Sequence, residues 1–263
     1  MKKYVNLFVF VFMIGACLSQ GRAQTKSAVS YKNPVVDIAM PDPTVIKAAD
    51  GYFYVYATES TRNVPIMKSK DLVEWTYCNT AFTNKTRPRF EPKAGIWAPD
   101  INYINGKYVL YYAMSVWGGE QTCGIGVATA NSPQGPFTDH GKMFRSNEIG
   151  VQNSIDPSLL QYEGRNYLVW GSFRGIYVIE LTADGLSIMP GAKKKRIAGT
   201  AFEAVYIHKH DDYYYMFASI GSCCQGVKST YKVVVGRSKK VWGPYKDKTG
   251  KPMLKNGLSL IHI

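Results

Sequence analysis

The sequence predicts an all-β protein, a propeller of repeated hairpins, from three observations. Aromatic residues are abundant, with 19 Tyr, 11 Phe and 5 Trp. They cluster in runs such as Tyr111-Tyr112 and Tyr213-Tyr214-Tyr215, which favour strands over helices. No stretch carries a convincing helical period. One pattern also recurs four times: an acidic residue, a short apolar strand, a turn of Gly, Asp or Asn, and a second, aromatic strand.

Composition agrees with a folded domain. The chain has 263 residues, 46% hydrophobic and 19% charged. That is enough apolar material for a full core, and too few charges for a disordered chain or a long solvated helix. The 24 Gly follow no triplet period, which excludes a collagen-like chain.

Residues 1–23 read as a signal peptide. Lys2 and Lys3 precede an apolar run from Val5 to Ile14, and Gly21-Arg22-Ala23 offers small residues for cleavage. Ile14-Gly15-Ala16-Cys17 also resembles a lipobox, which would leave an acylated Cys17 and a lipid anchor at the cell surface. Either route gives a secreted or periplasmic protein. The apolar run is too short to span a bilayer well, and no later segment reads as a transmembrane helix.

The first hairpin runs from Asp42-Pro43 through Asp50-Gly51 to Ala57, and the second from Pro99-Asp100 through Asn105-Gly106 to Ala113. The third runs from Asp156-Pro157 through Glu163-Gly164 to Ser172, and the fourth from Glu203 through Asp211-Asp212 to Ser219. The acids at 42, 100, 156 and 203 are spaced by 58, 56 and 47 residues, a period suited to a blade of four short strands. Gly124-Ile125-Gly126 reads as a further strand, since no helix follows to make it a nucleotide loop. Ser132 to Phe137 and Trp242 to Tyr245 are matching turns.

In a propeller, equivalent positions of successive blades line one end of the central axis. The repeated acids are therefore expected to converge on one pocket, where mutual repulsion separates their proton affinities into acid and base roles. An isolated Asp-Pro is also a common turn starter. The recurrence across copies, with Glu in one of them, favours chemistry.

The net charge is +13. The one dense basic run, Lys193 to Arg196, lacks a helix or zinc pattern and reads as a solvated loop, so no nucleic-acid partner is expected. A basic surface would also attract an anionic polysaccharide such as pectin. Cys78, Cys123, Cys223 and Cys224 permit disulfides, but their pairing stays open. Adjacent Cys223 and Cys224 lack the spacing of a zinc site or a redox motif. His208 and His210 alternate on one strand and read as surface residues rather than metal ligands.

The quoted motifs resemble glycoside hydrolase family 43, in particular its arabinan endo-1,5-α-L-arabinanases, over residues 33–256. They are Pro41-Asp42-Pro43, Ile96-Trp97-Ala98-Pro99-Asp100, Asn153 to Ser158, Phe202-Glu203-Ala204 and the stretch from Cys223 to Ser238 followed by Gly243 to Lys248. The resemblance implies a five-bladed propeller over 31–256 that cleaves with inversion, acting as a monomer on arabinan or arabinoxylan. An exo-acting α-L-arabinofuranosidase or β-xylosidase and a non-catalytic carbohydrate-binding propeller are the alternatives. Asp42 would be the general base, Glu203 the general acid, and Asp156 the residue that raises the pKa of Glu203 and orients it. Inversion requires Asp42 and Glu203 to stand about 6.5–9.5 Å apart. Sugar contacts are expected from Trp97, Gly118, Asn153, Ser154, Ile155, Ser172, Phe173 and Arg174, with Phe90 and Trp117 as weaker candidates.

Two features depart from the family pattern. Ala204-Val205-Tyr206 stands where relatives often read Ala-Pro-Tyr. The segment with an axial histidine, which the family associates with a structural calcium-type ion, is missing, and 257–263 is an atypical tail. The chemistry itself calls for no cofactor or metal. The fifth blade is accordingly expected to be incomplete, with exposed strand edges and poor folding as the consequence.

Overall fold

The protein is described here by a computed structural model covering residues 30–257, so the leader, Cys17 and residues 258–263 lie outside the described part. The described strands form four antiparallel sheets. Blade 1 holds β1 (Thr44–Lys47), β2 (Phe53–Tyr56), β3 (Pro65–Ser69) and β4 (Thr76–Thr80). Blade 2 holds β5 (Gly95–Ile104), β6 (Lys107–Ser115), β7 (Gly124–Ala130) and β8 (Thr138–Arg145), followed by the one-turn helix α1 (Ser146–Ile149). Blade 3 holds β9 (Ser158–Tyr162), β10 (Arg165–Trp170), β11 (Ile176–Glu180) and β12 (Lys195–Ala198). Blade 4 holds β13 (Glu203–His210), β14 (Tyr213–Ile220) and β15 (Lys232–Ser238), and its outer edge is extended by isolated bridges from Arg237 to Lys246 and from Lys246 to Pro252.

Each repeat opens its sheet with a hairpin, as the sequence pattern predicts. Asn105-Gly106 and Glu163-Gly164 have positive φ at both positions, the two-residue turn whose twist matches the flanking strands. The pairings Ile104↔Lys107 and Tyr162↔Arg165 close directly on these turns. The turn segments match as well: Phe137 and Tyr245, each following a Gly-Pro, are both buried.

The core lies between blades. Tyr54, Tyr56 and Ile66 of blade 1 pack with Leu110 and Tyr112 of blade 2. Tyr111 and Val127 of blade 2 meet Leu168 and Trp170 of blade 3. Val169 and Val178 of blade 3 meet Ile207, Met216 and Val234 of blade 4. Blade 4 is thus covered on one face, while Tyr206 and Val233 on the other remain exposed, as does Val45 of β1. No sheet beyond these four is formed among the described residues, so the structure shows four blades where the resemblance implies five.

Inner strands of neighbouring blades are stitched by polar side chains. The Leu159 N–H donates to Asp100 Oδ2 at 2.7 Å, and the Ala204 N–H donates to Asp156 Oδ2 at 3.2 Å. The Thr44 hydroxyl donates to Asp100 Oδ1 at 3.5 Å and accepts from the Ile101 N–H at 3.3 Å, and the Ser158 hydroxyl donates to the Val205 carbonyl at 2.7 Å. The repeated acid therefore accepts the next blade's backbone N–H in two of the copies.

Candidate active site

Every repeated acid sits where regular strand geometry breaks. Asp42 and Asp156 precede prolines and have φ of 49° and 57°. Asp100 and Glu203 flank bulges, where the register shifts between Trp97 and Asp100 and between Glu203 and Tyr206. In the first bulge Pro99 has no N–H to give to the ladder; in the second Ala204 takes a φ of 51°. Bulges re-aim side chains, and left-handed backbone at non-glycine residues gathers at functional sites. Ala98, Asn153 and Phe173 share that conformation, with φ of 40°, 53° and 49°.

Three of the four acids come together. The charges of Glu203 and Asp42 both act on Asp156, and that of Asp42 acts on Glu203. Burial, then repulsion from Glu203 and Asp42, pushes the Asp156 carboxyl well above the usual carboxylate range. Glu203 is raised chiefly by burial and further by Asp42, with the donors Ser172 and Tyr231 opposing the shift. Asp42 is exposed, whereas Asp156 and Glu203 are half-buried. Asp100 belongs to the masonry rather than the trio. Only 8% exposed, it is bound by Leu159, Asn102 and Thr44, and burial raises it to about 6.

Each acid of the trio is held. The Thr58 hydroxyl donates to Asp42 Oδ2 at 2.6 Å and accepts the Ala98 N–H at 2.7 Å, which ties Asp42 of blade 1 to the bulge of blade 2. The Ser172 hydroxyl donates to Glu203 Oε2 at 2.7 Å, and the Asn153 side-chain amide donates to Ser172 Oγ at 2.9 Å. Ser172 and Glu203 also form a β-bridge between blades 3 and 4. Tyr231 also acts on the Glu203 carboxyl as a hydrogen-bonding group, and on Ser219, the cross-strand partner of Glu203.

The remaining expected residues divide. Trp97 is half-buried against Ala113, Cys123 and Ile155, and its ring lies 5.5 Å from that of Trp117 at 51°. Trp117, 77% exposed, and Gly118, with open space above it, carry this aromatic corner into solvent. Phe173 is half-buried and donates its N–H to the Phe202 carbonyl. Arg174 is engaged by a bidentate pair with Glu120 at 2.9 and 2.8 Å. Ser154 has no exposed surface: its hydroxyl donates to the Val151 carbonyl and accepts from the Trp170 indole. Ile155 is buried beneath Trp97, and Phe90 stacks on Tyr112 in the core between blades 1 and 2. Ser154, Ile155 and Phe90 thus brace the site from below.

Thr58 and Tyr231 went unnoticed in the sequence. Thr58 lies outside every motif, and Tyr231 falls inside the stretch from Cys223 to Ser238 with nothing in its spacing to mark it. Among the described residues no group of three or more His, Cys, Asp or Glu is gathered that could hold a metal ion, and no step below is routed through one.

The sequence profile of glycosyl hydrolases family 43 matches residues 31–259. The extracellular endo-α-(1→5)-L-arabinanase 1 of Bacillus subtilis is 38% identical over 234 residues, covering 84% of this chain and 71% of the relative. The extracellular exo-α-(1→5)-L-arabinofuranosidase of Cellvibrio japonicus is 36% identical over 249 residues, covering 84% and 70%. Among solved structures, the α-L-arabinanase of Cellvibrio cellulosa superposes with a TM-score of 0.77 at 33% identity, over 86% of this chain and 78% of that one.

Proposed function

Since the chain belongs to glycosyl hydrolases family 43, we propose that it hydrolyses α-1,5-linked L-arabinan with inversion, using Asp42 as general base, Glu203 as general acid and Asp156 as the carboxylate that tunes and orients Glu203. One observation carries this reading: three carboxyl groups from separate hairpins are near enough to repel one another, and they differ in exposure as the roles require.

Burial and like charge hold a proton on the Asp156–Glu203 pair, which titrates as a unit. The Ser172 hydroxyl holds Oε2 of Glu203 and Tyr231 acts on the same carboxyl, so the group is fixed to present its proton toward the departing glycosidic oxygen. Asp42 is open to water. Thr58 occupies its Oδ2, leaving Oδ1 to take the proton of a water attacking the opposite face of the furanose. Trp97 and Trp117 supply the aromatic face on which the sugar rests.

Export, suggested by residues 1–23 and by the extracellular relatives, belongs to the same proposal, as does action as a monomer. So does a five-bladed propeller domain over 31–256 whose fifth blade is incomplete in this chain. The exposed apolar surface of Tyr206, Val233 and Val45 is the kind of surface such a blade covers. The likeness to both endo- and exo-acting relatives makes exo action the second reading.

The test is incubation with linear α-1,5-arabinan. Early release of mixed oligosaccharides with inverted anomeric configuration is expected, and monomer alone would select the exo reading. Glu203→Gln should lower kcat by about 10²–10⁴. Unchanged turnover in that variant, or retention of configuration, would overturn the assignment.

A further inference from the structure

Glycoside hydrolysis uses no sulfur, yet two thiols stand beside the acids. Cys223 and Cys224 are adjacent in the loop between β14 and β15, and the Cys224 thiol and the charges of Glu203 and Asp42 act on Cys223. Cys223 is half-buried and Cys224 is exposed, so a reagent in solvent reaches the pair. Cys224 has a φ of 66°, left-handed backbone in a residue that rarely adopts it.

This loop is pinched at a neck. The Thr230 N–H donates to the Ser222 carbonyl at 3.0 Å, and the Ser222 N–H donates to Thr230 Oγ1 at 3.1 Å. Gly221, with a φ of 90°, permits this approach, since a Cβ there would stand 2.5 Å from the Thr230 carbonyl oxygen. Next to the neck lie Cys223 on one side and Tyr231 on the other, and Tyr231 is hydrogen-bonded to Glu203. A change of backbone at the cysteines is thereby one residue from the neck, and the neck is one residue from a group that grips Glu203.

We propose that Cys223 and Cys224 form a reversible oxidation site: a vicinal dithiol whose closure to a disulfide acts through the loop neck to loosen Tyr231 from Glu203. The effect on turnover rests on the reading of Glu203 as proton donor; the oxidation itself does not. The oxidant is a disulfide, either a small molecule or a protein. The exposed Cys224 attacks it as thiolate, forming a mixed disulfide and releasing one thiol. Cys223 then displaces the second thiol, so two electrons and two protons pass to the oxidant as the Cys223–Cys224 bond forms.

Two physical arguments make the bridge labile rather than structural. Adjacent Cα atoms are held about 3.8 Å apart by a trans peptide, below the roughly 4.4–6.8 Å that relaxed disulfides adopt. A strained, exposed bridge has a more oxidising potential and is readily reduced. Burial, followed by the neighbouring thiol and the acids, raises the Cys223 thiol, and Cys224, the more exposed of the two, is the attacking member. The neutral bridge places no further negative charge beside the acids.

The experiment compares the full chain after treatment with oxidised glutathione and after dithiothreitol. Peptide mapping of the oxidised protein should show a Cys223–Cys224 fragment about 2 Da lighter than the dithiol, restored by reductant. On arabinan, the oxidised form should show kcat lowered roughly threefold or more, with the alkaline limb of its pH profile moved upward because Glu203 has lost a donor. Cys224→Ser and Cys223→Ser should each abolish the redox response. Alkylation of both thiols after oxidant, identical kinetics in the two states, or a response that survives in either serine variant would overturn the proposal. If neither redox state hydrolyses arabinan, the arabinan reading fails. The peptide map then still decides the bridge, and a near-ultraviolet tyrosine difference between the two states decides its coupling to Tyr231.

Discussion

Glu203 illustrates how a general acid is held as well as charged. Tyr231 donates to its carboxylate and so favours the ionised form, against burial, which favours the protonated one. Burial wins, and the hydroxyl serves aim more than proton affinity. Tyr231→Phe should therefore lower kcat roughly 2- to 10-fold with little change in KM, as loss of one hydrogen bond implies. Removing that donor leaves the Glu203 pKa higher, so the alkaline limb of the kcat/KM profile should move to higher pH; a downward move would contradict the hydrogen bond as described. The four acids were legible as a set because each opens a hairpin of the same design; which three of them gather was implied by the family likeness and not by the repeat. Tyr231 and Thr58 were not, because each reaches its acid through a loop or a neighbouring blade rather than through its place in the repeat.

At the level of elements, the bulges and interblade stitches make the site. Gly171 joins β10 to Ser172, with a φ of 127° and room so limited that a Cβ would lie 2.3 Å from the Gly175 carbonyl oxygen. Gly171→Ala should cost on the order of 2–3 kcal/mol and displace Ser172 from Glu203, visible as a lower denaturation midpoint together with reduced kcat. Asp100 offers a pH test. Its folded pKa, about 6, stands above the ordinary value of 3.8, so the folded protein binds the proton more tightly. The stabilisation this brings is complete below pH 3.8 and is lost as the pH rises to about 6. The stability of the wild type relative to Asp100→Asn should fall across that window by about 2–3 kcal/mol, measured by urea unfolding at several pH values. A flat difference would mean that folding leaves the Asp100 pKa at its ordinary value. The hairpins were readable because turn residues and aromatic strands are local signals. The bulges at Ala98-Pro99 and Ala204 were not, since a bulge is defined by the partner strand.

At the scale of the whole molecule, the buried hydrophobic residues described fall into three large interblade clusters and a small one beneath Trp97, rather than gathering at a centre. The repeat spacing signalled blades of four short strands, but the number of blades came from family likeness, and the described residues form four. Charge acts at this scale too. With +13 over the chain, approach to arabinan carried on an anionic pectin backbone should be helped by long-range attraction, which falls off over about 8 Å at physiological salt. KM for such material should rise steeply with added salt, while KM for neutral linear arabinan stays nearly constant; equal salt sensitivity would argue against steering. The acid of the second hairpin has a wider meaning. Asp100 descends from the same motif as Asp42, Asp156 and Glu203, but it is walled in and spends its lone pairs on Thr44, Asn102 and Leu159. Copying a hairpin around a ring thus delivers a spare carboxylate to every spoke at the hub, and which spokes become chemical and which become mortar is settled by how much solvent each is left to see.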